Sequence, residues 1–204
     1  MKLVLATRNT AKIEEITSIL RDLNLTLLSC FDFVAVPNVT EDGQTFRENA
    51  IKKAETVCEH VGLPSLADDS GLEIDALGGR PGVLSSRFSG PLGSDRKNVE
   101  KVLRLMRDVP QDRRQARFRC VIALAAPGEA THTVEGTCEG TISLEARGTA
   151  GFGYDPIFVV PEFGKTFAEL GEGVKNTISH RARALELARE MLAEKLTPRG
   201  KDER

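Results

Sequence analysis

Two strand-like runs, Phe118 to Ala126 and Thr131 to Ile142, are separated by little more than a turn at Pro127-Gly128. Runs of that length, so closely joined, predict an antiparallel pair, and the rest of the fold has to be built around it. Lys2 to Ala6 reads as a further short apolar strand, and after Thr7 to Thr10 the residues Ile13, Ile16, Leu20 and Leu23 recur at helical spacing. A strand, loop and helix at one end with a long hairpin further on predict an α/β class with a mixed sheet.

Thr45 followed three residues later by Glu48 predicts the capped start of a second helix, with Ala50, Ala54, Val57 and Val61 on its buried stripe and a stop near Gly62-Leu63-Pro64. Leu72, Ile74 and Ala76 alternate with Glu73 and Asp75, the period of a half-buried strand, until Gly78-Gly79-Arg80-Pro81-Gly82 breaks the pattern. Val99, Val102, Leu103 and Met106 predict a third helix, and Ser179 caps a last one carrying Leu185, Ala188 and Leu192. No linker-like stretch divides the 204 residues, so the chain reads as one domain over 1–204 with a polar tail over about 197–204.

The 28 basic and 30 acidic residues nearly cancel, which argues against a generic nucleic-acid surface and requires basic groups to act locally. Cys30, Cys58, Cys120 and Cys138 are far apart and form no C-x-x-C pair, so they read as buried reduced thiols. Without a long apolar leader or a run of roughly 18 apolar residues, no membrane role is expected and the cytoplasm is the expected location.

Leu66-Ala67-Asp68-Asp69-Ser70-Gly71 places two carboxylates and a hydroxyl at the end of a short apolar strand. Adjacent carboxylates raise one another's pKa unless cations offset them, so the pair reads as a metal site or a catalytic base; an acidic turn is the alternative. Glu41, in the loop before the second helix, could supply another oxygen ligand to a metal held near Asp69. On that helix Asn49 and Lys53 are four residues apart and share a polar face beside the apolar stripe.

Thr7-Arg8-Asn9-Thr10-Ala11-Lys12 surrounds a helix start, where backbone N–H groups favour an anion; a lysine there is opposed by the helix dipole unless a phosphate joins it. Walker and dinucleotide glycine patterns are absent. Gly151-Phe152-Gly153-Tyr154-Asp155-Pro156 sets two aromatics among glycines, suited either to a planar base or to a hydrophobic turn. Lys175-Asn176 and Ser179-His180-Arg181 gather donors at another helix start, which suits phosphate or carbonyl oxygens.

Taken together, Thr7-x-Asn9-x-x-Lys12, Glu48-Asn49-Ala50 with Lys53-Ala54, Asp68-Asp69-Ser70-Gly71-Leu72, Gly79-Arg80-Pro81-Gly82-Val83, the Gly151–Pro156 segment and Lys175-Asn176-x-x-Ser179-His180-Arg181 closely resemble the inosine triphosphate pyrophosphatase family. The resemblance implies an elongated mixed sheet flanked by helices, two lobes with the active-site cleft between them, and a homodimer. It implies a Mg²⁺-dependent enzyme that hydrolyses ITP, dITP or XTP to the monophosphate and pyrophosphate. Carried over by position, Asp69 becomes general base and metal ligand, with Glu41 and Asp68 as further metal residues. Substrate would meet Thr7, Arg8, Asn9, Thr10, Ala11, Lys12, Lys53, Ser70, Phe152, Gly153, Tyr154, Asp155, Lys175, His180 and Arg181. Leu84 and Phe88 stand where relatives often carry tyrosine, and Thr141 where arginine is frequent. A pyrophosphatase for other modified nucleotides, or a nucleotide-binding regulator without turnover, are the alternatives.

Overall fold

The computed structural model describes residues 1–196, without the side chains of 194–196; the polar tail expected over about 197–204 lies outside the described residues. Seven strands form one mixed sheet in the order β2-β1-β3-β4-β5-β6-β7. Strand β1 (Lys2–Leu5) lies parallel to β2 (Thr26–Ser29) and to β3 (Ser65–Ile74), and all later neighbours are antiparallel. The expected hairpin is present as β4 (Gln115–Ala125) and β5 (His132–Ile142), with β6 (Phe158–Val160) and β7 (Lys165–Thr166) completing that edge.

Helix α1 (Thr10–Leu20) ends before Leu23, shorter than the apolar spacing predicts. Helix α2 (Phe46–Val61) is capped as its sequence suggests. Thr45 accepts from the Glu48 N–H, the Glu48 carboxylate accepts from the Gln44 N–H, and Gly62 closes the helix in the left-handed region. Helices α3 (Asp95–Leu105), α4 (Phe167–Ile178) and α5 (His180–Leu196) follow, the last two separated by Ser179, whose hydroxyl accepts from the Ala182 N–H.

The predicted short strand over 72–76 is corrected. Residues 65–74 are one continuous strand, Asp68 to Gly71 lie in its middle, and Ala76 sits exposed on a 3-10 turn. Pairing with β4 through ten register positions, Ser65↔Ala125 to Ile74↔Ala116, satisfies the backbone that a turn would have left to local bonds. Gly71 is required there: a Cβ would fall 2.6 Å from the Gly82 carbonyl oxygen and 2.4 Å from Ser85 Oγ.

Three apolar clusters pack on this sheet. Ala67, Val121 and Ala123 face α2, while Leu66, Cys120 and Ile122 face α1 and α5. Toward the other end Leu72, Ile74 and Phe118 meet α3, α4 and β6. All four cysteines are buried and free. No helix among the described residues is long and apolar enough to cross a membrane.

Candidate active site

Successive side chains of an extended strand point to opposite faces, and this pleat separates the two adjacent acids of β3. Asp68 faces α1 and α5, where Lys12 Nζ lies 3.0 Å from Oδ1 and Arg181 Nη2 lies 3.0 Å from Oδ2. Asp69 faces α2, where Lys53 Nζ donates to Oδ1 at 2.8 Å and Asn49 Nδ2 to Oδ2 at 3.2 Å. The mutual repulsion expected of the pair is therefore relieved by geometry as well as by cations.

The two carboxyls diverge in proton affinity. Burial alone would raise both. At Asp68 the charges of Lys12, Arg181 and Lys53 outweigh it and hold the carboxyl well below the usual carboxylate range. At Asp69 burial prevails over Lys53, and the pKa is raised. Glu41 is lowered despite burial, by Lys53 above all.

Lys12 therefore already has a carboxylate partner within the protein, and the helix dipole that opposes it is offset without any phosphate. Its neighbours diverge. Asn9 caps α1 by accepting the Lys12 N–H at 3.1 Å, and Arg8 turns away to the Asn38 side chain and to the Val36 carbonyl at 2.6 Å. Thr7, Arg8, Asn9 and Lys12 line one cavity together with Glu41, Lys53, Asp69 and Ser70. Thr10 is exposed outside it, and Ala11 faces a separate hollow beside Glu14 and Glu15.

Lys53 Nζ sits among three oxygens, 2.9 Å from Glu41 Oε1, 2.8 Å from Asp69 Oδ1 and 2.6 Å from the Asp68 carbonyl. The ammonium marks a position where hard oxygen donors converge on positive charge, and such a donor set fits a divalent cation of the magnesium type. Among the described residues no three Asp, Glu, His or Cys side chains gather as a metal cluster, and Asp68 directs its carboxylate to the other face.

The second cavity, of about 240 Å³, is lined by Phe152, Gly153, Tyr154, Asp155, Lys175, His180 and Arg181, with Asn9 and Ser70 again at its edge. Lys175 Nζ bonds Asp155 Oδ2 at 2.7 Å and lies 4.2 Å from the centre of the Phe152 ring, with Arg181 Cζ 5.7 Å from the same centre. Burial raises the Asp155 pKa against the pull of Lys175. His180 stacks on Phe118 at 4.6 Å, and burial followed by the charges of Arg181 and Lys175 drives its pKa well below the usual histidine value, so the ring is neutral. Arg181 is only 1% exposed. Its Nε and Nη2 bond Asp68, Nη2 also bonds Ser70 Oγ at 3.0 Å, and Nη1 bonds Glu15.

Glu15 and Asp95 escaped the sequence reading. Glu15, on α1, bridges Lys175 at 2.8 Å and Arg181, tying both cations of the ring cavity to one carboxylate. Its signal was helical phase: it lies four residues before Ile19, which packs against the α1 core. Asp95, in the first turn of α3 after the Ser94 cap, accepts the Gly153 N–H at 2.8 Å and fixes the aromatic loop from the far wall; an acid in a first helical turn is ordinary, so nothing in the sequence singled it out.

Buried ion pairs are costly to desolvate, and apolar packing often stabilises as well. A connected set comprising Glu15, Asp68, Asp155, Lys175 and Arg181 is thus better explained by a ligand than by stability. Fold and site together define a class, an α/β protein whose joined cavities suit a molecule with a planar ring at one end and an anionic tail at the other.

Residues 3–191 match the Ham1 family. A dITP/XTP pyrophosphatase from Desulforamulus reducens is 53% identical over 94% of this chain and 96% of its own length, and one from Bacillus subtilis is 48% identical over 93% and 96%. A solved HAM1 protein from Coxiella burnetii superposes with a TM-score of 0.87 at 45% identity, covering 95% of this chain and 99% of that one. The chain belongs to the Ham1 family.

Proposed function

We propose that this chain hydrolyses the nonstandard purine nucleoside triphosphates ITP, dITP and XTP to the monophosphate and pyrophosphate. Relatives bearing the name dITP/XTP pyrophosphatase match it over nearly their whole length, which supports the reading. The single observation that carries it is the meeting of the two cavities: Asp69 and Lys53 lie in one, Phe152 and Lys175 in the other, and Asn9 and Ser70 belong to both.

In this reading the base enters the Phe152 cavity and the phosphates lie toward Lys12 and Lys53. Asp69 orients the attacking water and takes its proton, a role favoured by a carboxyl whose proton affinity burial has raised. Asp68 stays ionised and holds Lys12 and Arg181 in place. Glu41 and Asp69 are the residues that would hold Mg²⁺, and Asp68, expected as a further metal residue, instead turns its carboxylate to Lys12 and Arg181 on the other face. When bound, Mg²⁺ neutralises charge on the polyphosphate and favours formation of the nucleophile.

Base selection rests on donors facing position 6 of the purine. Hypoxanthine and xanthine present a carbonyl there, adenine an amino group. A buried donor left unpaired costs about 1 to 3 kcal/mol, so several contacts together discriminate by orders of magnitude. The one Nη1 N–H of Arg181 not given to Glu15, Asp68 or Ser70, together with nearby backbone N–H groups, supplies the donors, and Phe152 stacks on the ring.

The partner is thus a small molecule and not a nucleic acid. The enzyme is assigned to the cytoplasm, where its four free thiols stay reduced and triphosphates are abundant. It is assigned as a homodimer on the family resemblance, which light scattering on the purified protein would check. Product analysis with ITP, dITP, XTP, GTP and ATP, with and without Mg²⁺, tests the function. Monophosphate and pyrophosphate from the first three, with little turnover of ATP, is the expected result; release of orthophosphate, or binding without hydrolysis, would overturn it.

A further inference from the structure

Three residues line both cavities: Asn9, Ser70 and Ser86. A nucleotide with its ring in one cavity and its phosphates in the other must thread its sugar between them. Ser70 is engaged as both donor and acceptor, and Asn9 has its carbonyl oxygen committed to the cap of α1, keeping only the donors of Nδ2. Asn9 Oδ1 accepts the Lys12 N–H at 3.1 Å, and Ser70 Oγ donates to Asp68 Oδ2 at 3.1 Å while accepting from Arg181 at 3.0 Å.

Ser86 differs. Its backbone carbonyl accepts from Asn98 Nδ2 at 3.1 Å, but among the described residues no protein group bonds its hydroxyl. The backbone that presents it is held from behind. Asn98, 1% exposed, also donates to the Ser85 carbonyl and accepts from Ser89, and Ser85 Oγ accepts the Leu72 N–H at 2.9 Å. The result is a hydroxyl on an immobilised turn, open to solvent, at the seam where a sugar must pass. Such preorganisation lowers the cost of binding, and a hydroxyl can both donate to and accept from a sugar hydroxyl.

We propose that Ser86 reads the sugar, its free hydroxyl bonding a ribose hydroxyl at the junction of the two cavities. This rests on the nucleotide triphosphate reading above and adds to it a determinant of preference between ribo- and deoxyribonucleotides. A neutral hydrogen bond at an exposed position is modest, so the effect is a bias rather than an exclusion.

The test compares kcat/KM for ITP, 2′-deoxy-ITP and 3′-deoxy-ITP between the wild type and Ser86→Ala. The substitution should lower kcat/KM for ITP about 3- to 10-fold. It should also lower it for whichever deoxy analogue keeps the partner hydroxyl, and leave unchanged the analogue that lacks it. An equal effect on all three, or none on ITP, would overturn the sugar contact. The same comparison read as dissociation constants by calorimetry keeps the outcome independent of turnover. A wild type that binds these nucleotides without hydrolysing them refutes the proposed function, while the pattern of constants still decides the role of Ser86.

Discussion

Lys53 and Asp69 form a buried ion pair of 2.8 Å whose ammonium also reaches Glu41, so one cation sits where two carboxylates converge. Replacing Asp69 by Asn removes the carboxylate proposed as proton acceptor while leaving an oxygen that Asn49 can still bond. Turnover of ITP should fall at least ~10²-fold with the fold intact. Pyrophosphate release alongside the thermal melt checks both parts, and near-normal turnover would remove Asp69 from the role of base.

Glu15 pairs with two buried cations at once. Glu15→Gln leaves Lys175 and Arg181 short of negative charge and should destabilise the protein by about 3 kcal/mol. The exposed neighbour supplies the control: Glu14→Gln should change stability by less than about 0.5 kcal/mol. Urea unfolding of the two variants distinguishes a buried bridge from a general loss of helix charge.

The neutral His180 gives stability a defined response to acid. Its folded pKa lies below the usual value of about 6.5, so the unfolded chain binds the proton first. The contribution is fully present above about pH 6.5 and is lost as pH falls below it, at up to about 1.4 kcal/mol per pH unit. The raised carboxyls of Asp69 and Asp155 act in the opposite sense, but they are common to wild type and variant. Unfolding free energies between pH 7 and 5 should therefore fall more steeply for the wild type than for His180→Asn; equal slopes would contradict the assignment.

Asp95 holds the aromatic loop through the Gly153 N–H. Asp95→Ala should raise KM for ITP about 3- to 10-fold with little change in kcat, since a single neutral donor loses its acceptor. Asp95→Asn keeps an acceptor oxygen and should restore most of the affinity. If Asn behaves like Ala in steady-state kinetics, the acid acts through its charge on α3 and not through the loop.

Much of this architecture could be read from local pattern. The Thr45 cap, the Gly62 stop and the β4–β5 hairpin are set by residues within a few positions of one another. Where long-range pairing decides, local pattern misleads. Asp68 to Gly71 carries poor strand formers, yet pairing of Asp68 with Ile122 and Asp69 with Val121 overrides that preference. Strands β6 and β7 are three and two residues long, too short to show a period, and α4 is interrupted at Gly171, where φ is +77°. At the site, the residue types named the cations and acids, but their partners were set by distant contacts. Lys12 meets Asp68, and Arg181 divides its donors among Asp68, Glu15 and Ser70.

The placement of two neighbouring acids on one extended segment makes sheet alignment itself part of the chemistry. Sliding β3 one residue past β4 would turn Asp68 toward α2 and Asp69 toward α1 and α5, so the two acids would exchange faces and lose the partners that set their proton affinities. The ten-position register from Ser65↔Ala125 to Ile74↔Ala116 therefore decides which acid meets which cation, well beyond the cavities themselves.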